Sequence, residues 1–216
     1  MTGLLDPWNL FEVIDVVGVF IGAFTATLVA RRLRYDITGM WALALVAGLG
    51  GGLIRDLCLQ VGPPLALTEP AYLPTVAIAT IAGATYGGKV DHTWKSIVFL
   101  DSLALITFAV AGSLRTLQYD YGIWATALLG VITAVGGGVL RDVLSGETPM
   151  IFRRAELYAL AALGASLAMI MLDLLDQPRG SIALAGYTVG LFLRFGSLRW
   201  GWMSWAPRAP EERSRG

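Results

Sequence analysis

Gly50-Gly51-Gly52-Leu53-Ile54-Arg55-Asp56 returns 86 residues later as Gly136-Gly137-Gly138-Val139-Leu140-Arg141-Asp142. The same shift carries Asp15 to Asp101, Pro63 to Pro149 and Tyr72 to Tyr158. Five landmarks in one register mark an internal repeat. Both copies of the motif lie in apolar stretches, where they are expensive. Three consecutive glycines cost about 3 kcal/mol of helix stability relative to alanine, and an Arg-Asp pair at membrane depth costs more. A chain that accepts both penalties twice is expected to use broken, charged helices in a membrane core, a common way to build pores and transport sites.

Composition supports the membrane class. Of 216 residues, 56% are hydrophobic and 15% charged, with a mean hydropathy of +0.65. Soluble domains rarely reach such values. The formal net charge is +0, so no nucleic acid or other bulk electrostatic partner is indicated, and no protein partner is inferable. A single cysteine, Cys58, excludes an internal disulfide. Met1 to Asn9 lacks the basic segment of a signal peptide, so the first apolar stretch reads as a retained span.

Seven stretches are long enough to cross a bilayer at about 20 residues per helix. They run roughly Val13–Ala30, Gly39–Leu59, Tyr72–Gly88, Ser96–Leu114, Tyr121–Leu144, Glu156–Leu175 and Ser181–Leu198. The resulting division is an extracellular N-terminus (1–12), a first three-span repeat (13–90), a second (94–176), a seventh span (181–199) and a disordered cytoplasmic tail (200–216). Arg31, Arg32, Arg34, Lys89, Lys95, Arg153, Arg154, Arg199, Arg208, Arg213 and Arg215 fall on one face, whereas Arg115 and Arg179 fall on the other. The positive-inside rule then predicts the N-terminus outside and the C-terminus in the cytoplasm. Each repeat has an odd number of spans, so the second enters from the opposite face and the repeat is inverted. One landmark is off register: Asp36 pairs with Asp120 at a shift of 84, which reads as a loop-length difference.

The chemistry falls on the second and fifth spans. Gly50 lies about 16 Å along its helix from Gly39, near the membrane midplane. On this reading Gly50, Gly51, Gly52, Gly136, Gly137 and Gly138 are helix breaks whose freed carbonyls face a path, because such groups need protein or water. Asp15, Asp101, Asp56 and Asp142 are candidate cation-attracting carboxylates along it. Arg55 and Arg141 either neutralise the adjacent aspartates or act as barriers. A bland reading stands beside each. The Arg-Asp pairs can be structural, the glycine triplets can be flat faces for helix packing, and Asp15 can cap the first span. Asp101 lies deeper in its span and fits a cap less well. Asp173 reads as interfacial, Arg194 as an anchor snorkelling to the interface, and His92 as a solvated loop residue. Gly18/Gly22, Gly83/Gly87 and Gly186/Gly190 have the spacing of close helix contacts. No phosphate-binding loop, metal-ligand cluster or nucleophile motif occurs, so neither an enzyme nor a cofactor or bound metal is expected.

The doubled GGGxxRD signature, each copy in a three-span unit opened by an intramembrane Asp, resembles the trimeric intracellular cation (TRIC) channels and their prokaryotic relatives. The resemblance covers about Val13 to Leu198. It implies an all-α membrane protein of seven helices, a 3+3 inverted repeat plus one, in a homotrimer surrounded by membrane lipid. It also implies a pore in each protomer, lined by glycine-kinked second and fifth spans and conducting K⁺ in preference, with Na⁺ as a second permeant ion. The short tail matches a prokaryotic, plasma-membrane member. The Lys-Glu-Val signature of the animal proteins is not evident, so phosphoinositide control does not carry over. Bacterial proteins with the same doubled motif are also described as glycine transporters, so a secondary carrier of a small molecule is the alternative.

Overall fold

The computed structural model describes residues 7–90, 94–153 and 157–204. The residues expected to form the outer N-terminal end (1–6), the His92 loop (91–93), the stretch holding Arg154 (154–156) and the tail from 205 lie outside these. Among the described residues eight helices follow in order: α1 (Pro7–Arg32), α2 (Ile37–Leu59), the single turn α3 (Leu65–Thr68), α4 (Tyr72–Val90), α5 (Trp94–Gln118), α6 (Gly122–Leu144), α7 (Ala159–Asp173) and α8 (Arg179–Trp200), with a 3-10 turn at Met150–Phe152 before α7. Among the described residues, five segments are long and apolar enough to cross a bilayer: Leu10–Arg32, Ile37–Leu59, Lys95–Gln118, Gly122–Leu144 and Arg179–Trp200. α7 is apolar but has 15 residues, about 22 Å against a hydrocarbon core of about 30 Å. Large apolar side chains such as Val17, Ile81, Leu128, Leu167 and Leu184 face outward, as a lipid environment permits. The chain is an all-helical, multi-pass membrane protein.

Local chemistry sets the helix ends. The Asp36 side chain accepts from the Gly39 N–H at 2.8 Å and caps α2. Pro74 lies in the first turn of α4, where a missing N–H costs nothing. Left-handed residues stop the helices, and they obey the repeat. Arg34 (φ 58) matches Asp120 (φ 53), and Gln60 (φ 52) matches Gly146 (φ 72), each pair 86 residues apart. Asp120 therefore corresponds to Arg34 rather than Asp36, and the two-residue offset expected from the sequence disappears. The short helix α3 and the 3-10 turn at Met150–Phe152 occupy corresponding places after α2 and α6.

α1 packs on α2, α4 and α5, while α5 packs on α6, α7 and α8. α1 and α5 form the middle of the bundle. Their spans are 61% and 78% buried, against 39% for α2, α6 and α8. The small-residue pairs serve this internal packing. Gly18 and Gly22 receive Phe108 of α5, Gly83 and Gly87 receive Thr27, Leu28 and Arg31 of α1, and Gly186 and Gly190 receive Met169 and Ile106.

The glycine triplets are not helix breaks. α2 and α6 run as single α-helices through Gly50–Gly52 and Gly136–Gly138, and they cross there. A Cβ on Gly51 would strike the Thr133 carbonyl oxygen, and one on Gly137 would strike that of Ala47. A Cβ on Gly136 would lie 3.2 Å from the Gly51 Cα. The packing reading is correct because backbone-to-backbone approach offsets the lost helix propensity.

Both ends also differ from expectation. α1 begins at Pro7 rather than Val13, with proline at a first-turn position it tolerates. At the other end α8 continues through Trp200, and Gly201 (φ 68) closes it. Trp202 stacks on Trp200 with ring centroids 5.2 Å apart, and its carbonyl accepts from the Leu157 N–H at 3.3 Å. Aromatic packing over Gly196, rather than disorder, governs residues 200–204.

Candidate functional site: two buried ion-paired centres

The six charged residues singled out by the repeat assemble into two centres. In the first, Arg55 Nη1 and Nη2 donate to the two carboxylate oxygens of Asp15 at 2.9 and 3.2 Å, and Nε donates to Asp56 Oδ1 at 2.8 Å. Tyr72 Oη donates to Asp15 Oδ2 at 2.7 Å, and the Leu65 N–H donates to Asp56 Oδ2 at 3.0 Å. The second centre repeats the plan. Arg141 Nη1 donates to Asp101 Oδ1 at 2.6 Å and Nε to Asp142 Oδ1 at 2.9 Å. Tyr158 Oη donates to Asp101 Oδ2 at 3.0 Å, and the Met150 N–H to Asp142 Oδ2 at 3.2 Å.

The helices explain the geometry. Asp15 and Asp101 stand on the central helices α1 and α5, facing the arginines of α2 and α6. The glycine before each arginine makes room. Gly52 lies against the Arg55 guanidinium, and Gly138 lies against Tyr158 Oη, where a Cβ would sit 3.1 Å away. The chain turns back through α3 and the 3-10 turn so that a backbone N–H reaches the far oxygen of Asp56 and of Asp142. Side-chain exposure is 1% for both Arg55 and Asp15, and 4% for both Arg141 and Asp101. Such burial is tolerable only when every charge is paired and bonded, and here each guanidinium serves two carboxylates. Asp15 is no helix cap: it lies well inside α1 and binds Arg55. Both arginines are neutralising partners of the aspartates in this conformation.

The surroundings of the two centres differ. The Phe11 ring lies 5.0 Å from the Arg55 guanidinium carbon and equally 5.0 Å from that of Arg115. In the 86-residue register Phe11 becomes Ile97, and Arg115 answers to Val29. Ile97 and Val29 line a cavity of about 180 Å³ that reaches Arg141, Asp142 and Glu147. Next to Asp15, Tyr72 and Phe108 the space is about 10 Å³, room for one water. One centre is filled in by an aromatic ring and an arginine, whereas the other opens onto a vestibule.

Tyr72 and Tyr158 belong to the centres although their sequence reading stopped at the repeat. Their shared register with the aspartates was the available signal. Arg194 is no snorkelling anchor, being 2% exposed, with Nε donating to Ser102 Oγ at 2.9 Å. Asp173 does sit at a partly exposed helix end, paired with Arg179 at 2.6 Å. Among the described residues no three His, Cys, Asp or Glu side chains gather as a metal site would require.

The model of a family described as glycine transporter matches twice, over residues 12–87 and 98–173, again 86 residues apart. The UPF0126 membrane protein of Deinococcus radiodurans is 32% identical over 200 residues, 91% of this chain and 93% of that protein. The UPF0126 inner membrane protein YadS of Escherichia coli is 31% identical over 189 residues, 87% of this chain and 91% of that protein. Among solved structures, the TRIC trimeric intracellular cation channel orthologue from Rhodobacter sphaeroides superposes with a TM-score of 0.84 at 36% identity, covering 89% of this chain and 99% of that one. A second TRIC cation channel, solved for the basis of its conductance, gives 0.82 at 28% identity over 94% and 99%. The two solved structures are of cation channels, and the Deinococcus and Escherichia relatives are membrane proteins. The repeat, the two centres and these similarities together place the chain in the TRIC-related UPF0126 family of prokaryotic membrane proteins, the family whose model is described as glycine transporter.

Proposed function

We propose that the chain is a monovalent cation channel of a prokaryotic plasma membrane, preferring K⁺ and also passing Na⁺. Its likeness to TRIC cation channels over 89% of its length is the observation that carries this reading. Seven helices span the membrane as an inverted 3+3 repeat plus α8, with the N-terminus outside and the C-terminus in the cytoplasm. Three copies assemble, and each holds its own pore between the halves, along α1, α2, α5 and α6. Two carboxylates for each arginine leave an excess of negative charge in Asp15, Arg55 and Asp56, and in Asp101, Arg141 and Asp142. That excess draws cations into the path and repels anions. Gly51 and Gly137 serve as the contact on which α2 and α6 shift relative to each other, not as sources of freed carbonyls.

The test is the purified protein in a planar bilayer with unequal KCl on the two sides. Discrete steps reversing near the potassium potential are expected. A second reading, a carrier of a small molecule such as glycine, is favoured by the family description and by the tight α2–α6 contact, which suits two halves rocking about a pivot. A silent bilayer together with uptake of labelled glycine into liposomes replaces the channel with the carrier.

A further inference from the structure

α8 has no counterpart in the first half, and it carries one buried charge, Arg194. The Arg194 guanidinium carbon lies 5.1 Å from the centre of the Tyr158 ring, whose hydroxyl bonds Asp101, and its Nε bonds Ser102, the residue next to Asp101. Arg194 follows Phe108 by the same 86 residues that relate the two centres. Phe108 lines the small cavity beside Asp15 and Tyr72. An apolar ring therefore stands against the first centre where a guanidinium stands against the second. Arg115, the other buried arginine outside the centres among the described residues, sits on the Phe11 and Tyr119 rings. Arg115 meets the first centre at the Phe11 ring that it shares with Arg55, whereas Arg194 touches the tyrosine that bonds Asp101 and the serine next to Asp101.

We propose that Arg194 is a positioning residue that sets the charge of the second centre. It offsets there part of the negative excess that both centres carry, so a permeating cation meets one more attractive end and one less attractive end. Current through the path then depends on its direction. The supply of this charge is the role of the helix that the repeat leaves over.

The inference rests on the cation-channel reading, and two measurements keep their failures apart. In symmetric KCl, Arg194→Gln keeps a hydrogen-bond donor for Ser102 and removes the charge, so the ratio of currents at equal and opposite voltages is expected to change about threefold, the scale of one unit charge acting across a partly hydrated path. Arg194→Lys is expected to retain the parent ratio. An unchanged ratio in Arg194→Gln, or an equal change in Arg194→Lys, overturns the proposal. The second measurement is a melting cycle of Asp101→Asn and Arg194→Gln in detergent, which reads the coupling even in a protein that does not conduct. The double variant is expected to lose less than the two single losses added, and to assemble even where Arg194→Gln alone does not. Additive losses, or failure of the double variant to assemble, overturn the proposal, whereas a silent parent protein overturns the channel reading alone.

Discussion

Gly137 of α6 lies so close to Ala47 of α2 that a single added methyl would meet the Ala47 carbonyl oxygen. A carbonyl held in a helix cannot rotate away as a side chain can, so the two helices would have to separate. Gly137→Ala and Gly51→Ala are each expected to destabilise the protein by about 1–3 kcal/mol, the usual cost of overpacking. Gly180→Ala meets nothing within 4 Å and serves as the control. Thermal melting in detergent compares the three. Equal melting of Gly137→Ala and the control would remove this contact from the fold's determinants.

Removing an arginine leaves two carboxylates buried without their partner. Arg55→Met is expected to cost about 3–5 kcal/mol, and Asp15→Asn in the same chain to restore part of it. Expression and melting of the single and double variants measure the recovery. A double variant no better than Arg55→Met would mean that Asp15 and Arg55 are not energetically coupled.

The tyrosine hydroxyls each hold one oxygen of a buried carboxylate. Tyr72→Phe and Tyr158→Phe are each expected to lose about 1.5–3 kcal/mol, the range for hydrogen bonds to charged groups. Similar losses would show that the two centres contribute alike to stability. A change confined to one of them would show that the repeat is symmetric in geometry but not in energy.

Asp101→Asn removes one carboxylate and leaves the second centre more positive. In a KCl gradient its reversal potential is expected to move toward that of chloride, as selectivity for cations weakens. A reversal potential identical to the parent's would take Asp101 out of the ion path and leave it a purely structural partner of Arg141.

The vestibule exists because Ile97 and Val29 stand where Phe11 and Arg115 stand at the first centre. Ile97→Phe enlarges one wall of a cavity of about 180 Å³ and is expected to lower single-channel conductance to about half, with melting little changed. The same conductance in both proteins would place the path elsewhere.

Much of this arrangement is legible in the amino-acid sequence. The repeat register by itself determined which residues are equivalent, and hydropathy determined that they lie in membrane helices. Those two signals are local or periodic, so one sequence holds them. Tertiary structure alone decided what the marked residues do. Arg55 and Asp15 are 40 residues apart, and nothing in either local sequence says that one finds the other. The glycine triplets looked like helix breaks because propensity counts only the helix they belong to. The gain that keeps α2 and α6 unbroken comes from the facing helix, and it appears only when two backbones meet. Arg194 looked like an interfacial anchor for the same reason. Its partners, Ser102 and Tyr158, lie on another helix and on the turn before α7. A buried charge is stable only through such distant partners, and the fold alone supplies them.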